Sequence, residues 1–211
     1  METARQHDHA VDLDTALDFV NTLKFDDGQP VEGLGTTAEA LDWLHDHGLI
    51  HHDAVSGTHD AVSGTHDAAA LQRIHQTRAA LRELADATYE DRQPRPEALD
   101  EVNRALRARE VVQLVLGPDG CRLDHRHVGD PVDDALANLV EPIVQEITAG
   151  RPERLRACAD ETCRWVFYDD SRTGRRRWCD MSSCGNRAKA ARHRARVKGV
   201  APDDAPGTTA G

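Results

Sequence analysis

Residues 158–187 read CADETCRWVFYDDSRTGRRRWCDMSSCGNR. Two cysteine pairs, Cys158/Cys163 and Cys179/Cys184, each enclose four residues, and fifteen residues lie between the pairs. A tetrahedral zinc ion takes four soft ligands, and a short cysteine pair supplies two corners of such a site. The spacing C-x4-C-x15-C-x4-C therefore predicts one structural Zn²⁺ held by Cys158, Cys163, Cys179 and Cys184. The fifteen intervening residues read as a β-hairpin: an apolar strand (RWVFY), a DDSRTG turn and a strand returning through the arginines. Four thiolates close the coordination sphere, so the metal is expected to build a platform and not to activate water. Thioredoxin-like C-x-x-C spacing is absent, which argues against a redox pair. A module of this size has too small a core to fold without such a staple.

Outward from the last thiol, GNRAKAARHRARVKG is rich in Ala and Arg and free of Pro, and predicts a helix starting at Ser182 or Ser183 as N-cap. Cys184 then sits at a helix start, as in treble-clef-like fingers built of knuckle, hairpin and helix. Ala188, Ala191 and Ala195 mark a narrow stripe expected to pack on the hairpin. Lys189, Arg192, Arg194, Arg196 and Lys198 spread over the remaining surface, and Arg175, Arg176 and Arg177 extend the positive charge along the returning strand. Such a surface neutralises phosphates. Trp165 and Trp178 flank the knuckles and read as core residues.

The rest of the chain has the opposite character. Formal charge is +8 over residues 151–199 but -17 over residues 1–150, within a total of -11 for 211 residues. An asymmetry of this size predicts two modules with different partners, divided at Ala149–Pro152. Residues 1–150 read as mostly helical. Apolar spacing predicts an amphipathic helix in LDTALDFVNTL (13–23), followed by a loop, KFDDGQPVEGLG. Thr36 and Glu39 form a capping box opening a second helix that Gly48 ends. A long helix is predicted from Asp67, another follows with Pro96 in its first turn, and VVQLVLGPDGCRLDHRHV reads as a β-hairpin. The last helix has Asp130 as N-cap, Gly150 as its stop and a kink at Pro142. The duplicated HDAVSGT unit within residues 52–67 reads as a surface loop lengthened by repetition. The histidines of Asp124–His127 read as solvated strand residues, and Cys121 as a small half-buried one. Residues 200–211 are expected to form a disordered tail. The fold class is thus α+β.

No apolar run reaches the length of a membrane span, and METARQHDHAVDLD has no apolar region of a secretory signal, so a cytoplasmic protein is expected. No nucleophile–base pair, phosphate-cradling Gly loop or distinctive carboxylate pair stands out, so no enzymatic activity is expected.

Cys184-Gly185-Asn186-Arg187 spells CGNR. With the other three cysteines, residues 152–198 resemble the CGNR zinc finger of bacterial proteins. LDFVNTL (17–23) resembles the ABATE domain that usually precedes this finger. Proteins of that architecture are described as stress-induced or DNA-binding transcriptional regulators, and the resemblance implies the same here. Within the tetrad, Gly185 is expected to let the backbone pass the metal knuckle, Asn186 to bond a knuckle carbonyl or thiolate, and Arg187 to brace the finger or reach a phosphate. The combined expectation is a regulator whose finger binds DNA, with an N-terminal module supplying dimerisation, small-molecule sensing or both. Docking of the acidic module on the basic finger would be autoinhibitory. The rivals are an RNA-binding protein and a protein-interaction adaptor.

Overall fold

The computed structural model describes residues 11–50, 63–107, 111–117, 120–126 and 130–197. The first repeat unit, Lys198 and the C-terminal tail lie outside the described residues, as do the side chains of His125 and His127.

Helix α1 (Leu13–Asn21) is capped by Asp12, whose carboxylate accepts from the Thr15 amide at 2.8 Å. Its Ala16, Leu17, Phe19 and Val20 are buried, as their spacing requires. The segment expected to be a loop is instead a hairpin, β1 (Leu23–Asp26) and β2 (Gln29–Glu32). Asp27 and Gly28 turn it with consecutive positive φ values of 46° and 79°, the geometry that Asp-Gly favours and that matches strand twist. Helix α2 (Thr37–Asp46) carries the expected capping box, with both the Thr36 and the Glu39 bonds formed.

Helix α3 (Ser63–Tyr89) is the central element and starts four residues earlier than its apolar periodicity indicated, within the second repeat unit. Ile74, Leu81, Leu84 and Ala85 are buried on it. Helix α4 (Pro96–Leu106) follows, then the antiparallel hairpin β3 (Val111–Gly117) and β4 (Gly120–Arg126). Cys121 is exposed at that hairpin's tip, not half-buried. Helix α5 (Pro131–Ala149) is capped by Asp130 and runs through Pro142 as one element, burying Leu136, Leu139, Val140 and Ile143 completely.

After Gly150 come a short 3₁₀ turn (Pro152–Arg154), β5 (Leu155–Ala157) and β6 (Val166–Tyr168). Here the structure corrects the sequence reading. The strand VFY pairs backwards with residues 155–157, in the register Leu155↔Tyr168 and Ala157↔Val166, so the first cysteine pair sits at the tip of a hairpin. Residues 170–178 form no returning strand. The buried Asp169 carboxylate takes the amides of Ser171 (3.0 Å) and Arg176 (2.7 Å), closing that segment into a loop. Chain reversal is completed at Gly174, with φ of 60°.

The hydrophobic core continues past the point where charge changes sign. Leu155 and Val166 are buried in one cluster with residues of α1, α3 and α5. Asn21, at the end of α1, is the specific tie. Its Nδ2 donates to the Val166 carbonyl at 2.7 Å and its Oδ1 accepts from the Val166 amide at 2.9 Å, both in the interior. One side chain thus pairs the free edge of β6 as a neighbouring strand would.

Candidate metal centre and basic surface

Asp160 organises the first knuckle. Its backbone carbonyl accepts from the amides of Cys163 and Arg164, and its carboxylate accepts from the Thr162 amide and hydroxyl. Arg164 leaves the knuckle in a left-handed conformation, φ 52°. The second knuckle is organised by Asp180, which accepts from the amides of Ser182 and Ser183 and the Ser182 hydroxyl. Those bonds, led by the one from Ser182, lower its carboxyl to about 2. Asp180 is therefore the N-cap; the serines expected in that role are the donors. A wide turn over Met181–Gly185 leads directly into α6 (Asn186–Val197). The knuckles meet where the Ala159 amide donates to the Arg177 carbonyl at 2.8 Å.

The four sulfurs lie within 4.8 Å of one another, and the Cys163–Cys179 and Cys179–Cys184 separations are both 3.7 Å. A tetrahedron with Zn–S near ~2.3 Å has edges of about 3.8 Å. Cys158 and Cys184 are buried, and no disulfide joins any pair. Burial pushes the Cys163 thiol up to about 11 and raises Cys179 as well. Burial also opposes ionisation of Cys184, but hydrogen bonds from Cys163 and Cys179 outweigh it and lower that thiol. Four sulfurs this close ionise together only around a cation. Their geometry and chemistry fit one structural zinc ion.

The CGNR residues complete the support. Asn186 Nδ2 donates to the Ser182 carbonyl at 2.9 Å, closing the second knuckle. Arg187 donates to the Asp160 carboxylate at 3.0 Å through Nε and to Cys184 Sγ at 3.1 Å, so it braces both knuckles and a thiolate. A Cβ at buried Gly185 would stand 2.8 Å from Met181 Sδ, so the close neighbour there is a side chain and not knuckle backbone.

The remaining arginines sort into two groups. Arg176 is occupied internally: it donates to the carbonyls of Trp178 and Cys179 and lies over the Phe167 ring. Arg154 and Arg156 donate to carbonyls of the 169–174 loop. By contrast Arg175 and Arg177 are exposed, the latter stacked over Trp178. Lys189, Arg192, Arg194 and Arg196 are exposed on α6, which buries no residue. Ala191 is exposed with them, and Ala188 and Ala195 are half-buried, so no alanine of the expected stripe is fully buried. Trp165 and Trp178 are half-buried and outside the core cluster.

Asp160, Asp180 and Asn21 were not singled out from sequence. For the two aspartates a signal existed, a carboxylate one or two residues after the first cysteine of each pair, where it can cap the knuckle amides.

Fold and site together define a zinc-finger protein whose four-cysteine finger grows out of a helical domain. Residues 154–197 match the CGNR zinc finger model. Residues 13–159 match the ABATE model, described as "Putative stress-induced transcription regulator". The chain belongs to the ABATE family and carries a CGNR zinc finger. No curated protein matches it. Among the described residues no helix is long and apolar enough to cross a membrane.

Proposed function

We propose that this protein is a DNA-binding regulator of transcription in a bacterial stress response, acting in the cytoplasm and without catalysis. The observation that supports this reading is the state of α6: Lys189, Arg192, Arg194 and Arg196 are all exposed, and none has a carboxylate partner among the described residues. At about 100° per residue, Lys189, Arg192, His193 and Arg196 share one face, while Arg187 and Arg194 lie on the opposite one. Arg175 and Arg177 widen the cationic surface. Among the described residues no carboxylate of the acidic domain is paired with this face, so the autoinhibitory docking expected from charge alone has no counterpart among the described contacts.

The test is titration of labelled duplex DNA into the zinc-loaded protein across salt concentrations, with single-stranded RNA in parallel. Contact with about 4–6 phosphates gives a log–log salt slope near -4 to -5. Arg192→Gln reduces that slope by about one and weakens all sequences alike. Absence of duplex binding at low salt overturns the proposal, and a marked preference for single-stranded RNA transfers the function to RNA.

A further inference from the structure

A cleft of about 480 Å³ lies where β1, α3 and the first knuckle meet. Its volume falls in the range of small-molecule sites. One wall is apolar, made by Val20, Leu23 and Phe25; the other is charged. Across the charged wall the ions are unequally matched. Arg78 is held by Glu32 at 2.6 Å. Arg92 and Arg95 are balanced by Glu83 and Glu90. Arg82 and Arg164, however, share Asp86 as their carboxylate partner among the described residues, at 3.7 and 3.4 Å. Both guanidinium groups also stand near the Phe25 ring, 5.7 and 5.2 Å from its centroid. Two cations thus share one carboxylate beside an aromatic and aliphatic wall, and the next negative group near Arg82 is the Cys163 sulfur, which belongs to the metal centre.

We propose that this cleft binds a small organic acid, its carboxylate between Arg82 and Arg164 and its apolar body against Phe25, Leu23 and Val20. Arginine forks are suited to carboxylates, and a ligand carboxylate completes the pairing at two and two. The site joins both parts of the molecule. Arg164 directly follows the zinc ligand Cys163, and Arg82 donates to the Arg164 carbonyl. The tip of β1–β2 is tied to the same knuckle by the Gly28 amide, which donates to the Thr162 carbonyl at 3.0 Å. A ligand here touches the domain and the finger at once, so its binding free energy stabilises their docked arrangement.

The experiment uses full-length, zinc-loaded protein and calorimetric titration with 1-naphthoate, 1-naphthamide and inorganic phosphate. Naphthoate binds at one site at least tenfold more tightly than either comparator and raises the unfolding midpoint. Arg164→Gln and, separately, Arg82→Lys each weaken it about tenfold or more with one zinc retained, whereas Arg107→Gln leaves it unchanged. No saturable binding up to about 5 mM naphthoate overturns the proposal, since that limit already corresponds to a weak ligand. Equal binding of the amide removes the need for an anion, and equal binding of phosphate removes the need for an apolar body. Undiminished affinity in both arginine variants removes the site itself.

Discussion

Asn21→Ala tests the joint between finger and domain. Asn21 is 3% exposed, and its amide satisfies both the N–H and the C=O of Val166 at 2.9 and 2.7 Å. Truncation leaves two backbone groups unpaired in the interior, at about 1–3 kcal/mol each, so the expected loss is about 2–6 kcal/mol. For a chain of this size that lowers the unfolding midpoint by about 5–15 °C. The assay is urea denaturation and calorimetry of the zinc-loaded protein in a zinc buffer, which holds metal linkage constant. Hydrogen exchange at the Val166 amide reports the same bond directly and should lose protection. Asn21→Asp should do no better, because it removes the donor and buries a charge. A loss below about 0.5 kcal/mol, with Val166 still protected, would show that Asn21 does not close the β6 edge and that the reasoning is wrong.

Removal of zinc with a chelator should lower the melting temperature of the whole chain by about 10 °C or more in one transition, because Leu155 and Val166 belong to the common core; a finger that melts separately contradicts this. Arg187→Ala should reduce zinc affinity about 10–100-fold in competition with a chromophoric chelator, since it removes the brace on Cys184 and Asp160. Glu83 should carry part of the acid sensitivity. The hydrogen bond from Arg92 holds its carboxyl below the ordinary value of 4.5, so its stabilising effect is complete above that pH and disappears as pH falls through the lower folded value. The stability gap between wild type and Glu83→Gln should therefore be constant at neutral pH and close below pH 4.5; a gap that widens on acidification refutes the assignment.

Much of the site was legible because it is local. Each cysteine pair closes a loop of four residues, so ligand spacing alone defines half of a tetrahedron, whatever the rest of the chain does. Capping is local too: Thr36 with Glu39, Asp130 and Pro96 needed only neighbours within one turn. The hairpin at Asp27-Gly28 was equally local and was missed because its short strands carry few apolar residues; the Asp-Gly turn was the available signal.

Sequence by itself determined the metal centre, the helical frame and the concentration of positive charge behind Cys184, because these depend on spacing and composition over a few residues. Tertiary structure decided three other matters. An extended segment such as Val166–Tyr168 offers the same backbone groups to either neighbour, and its partner was settled by where Asp169 diverts the following chain. The roles of the arginines were settled by which carbonyls, carboxylates and rings fold within reach, so that Arg176 and Arg187 became braces of the finger while Arg192 and Arg196 stayed without a carboxylate partner among the described residues. The tie between Asn21 and Val166 spans 145 positions. No periodicity encodes such a contact, because it exists only once the core has brought α1 against β6.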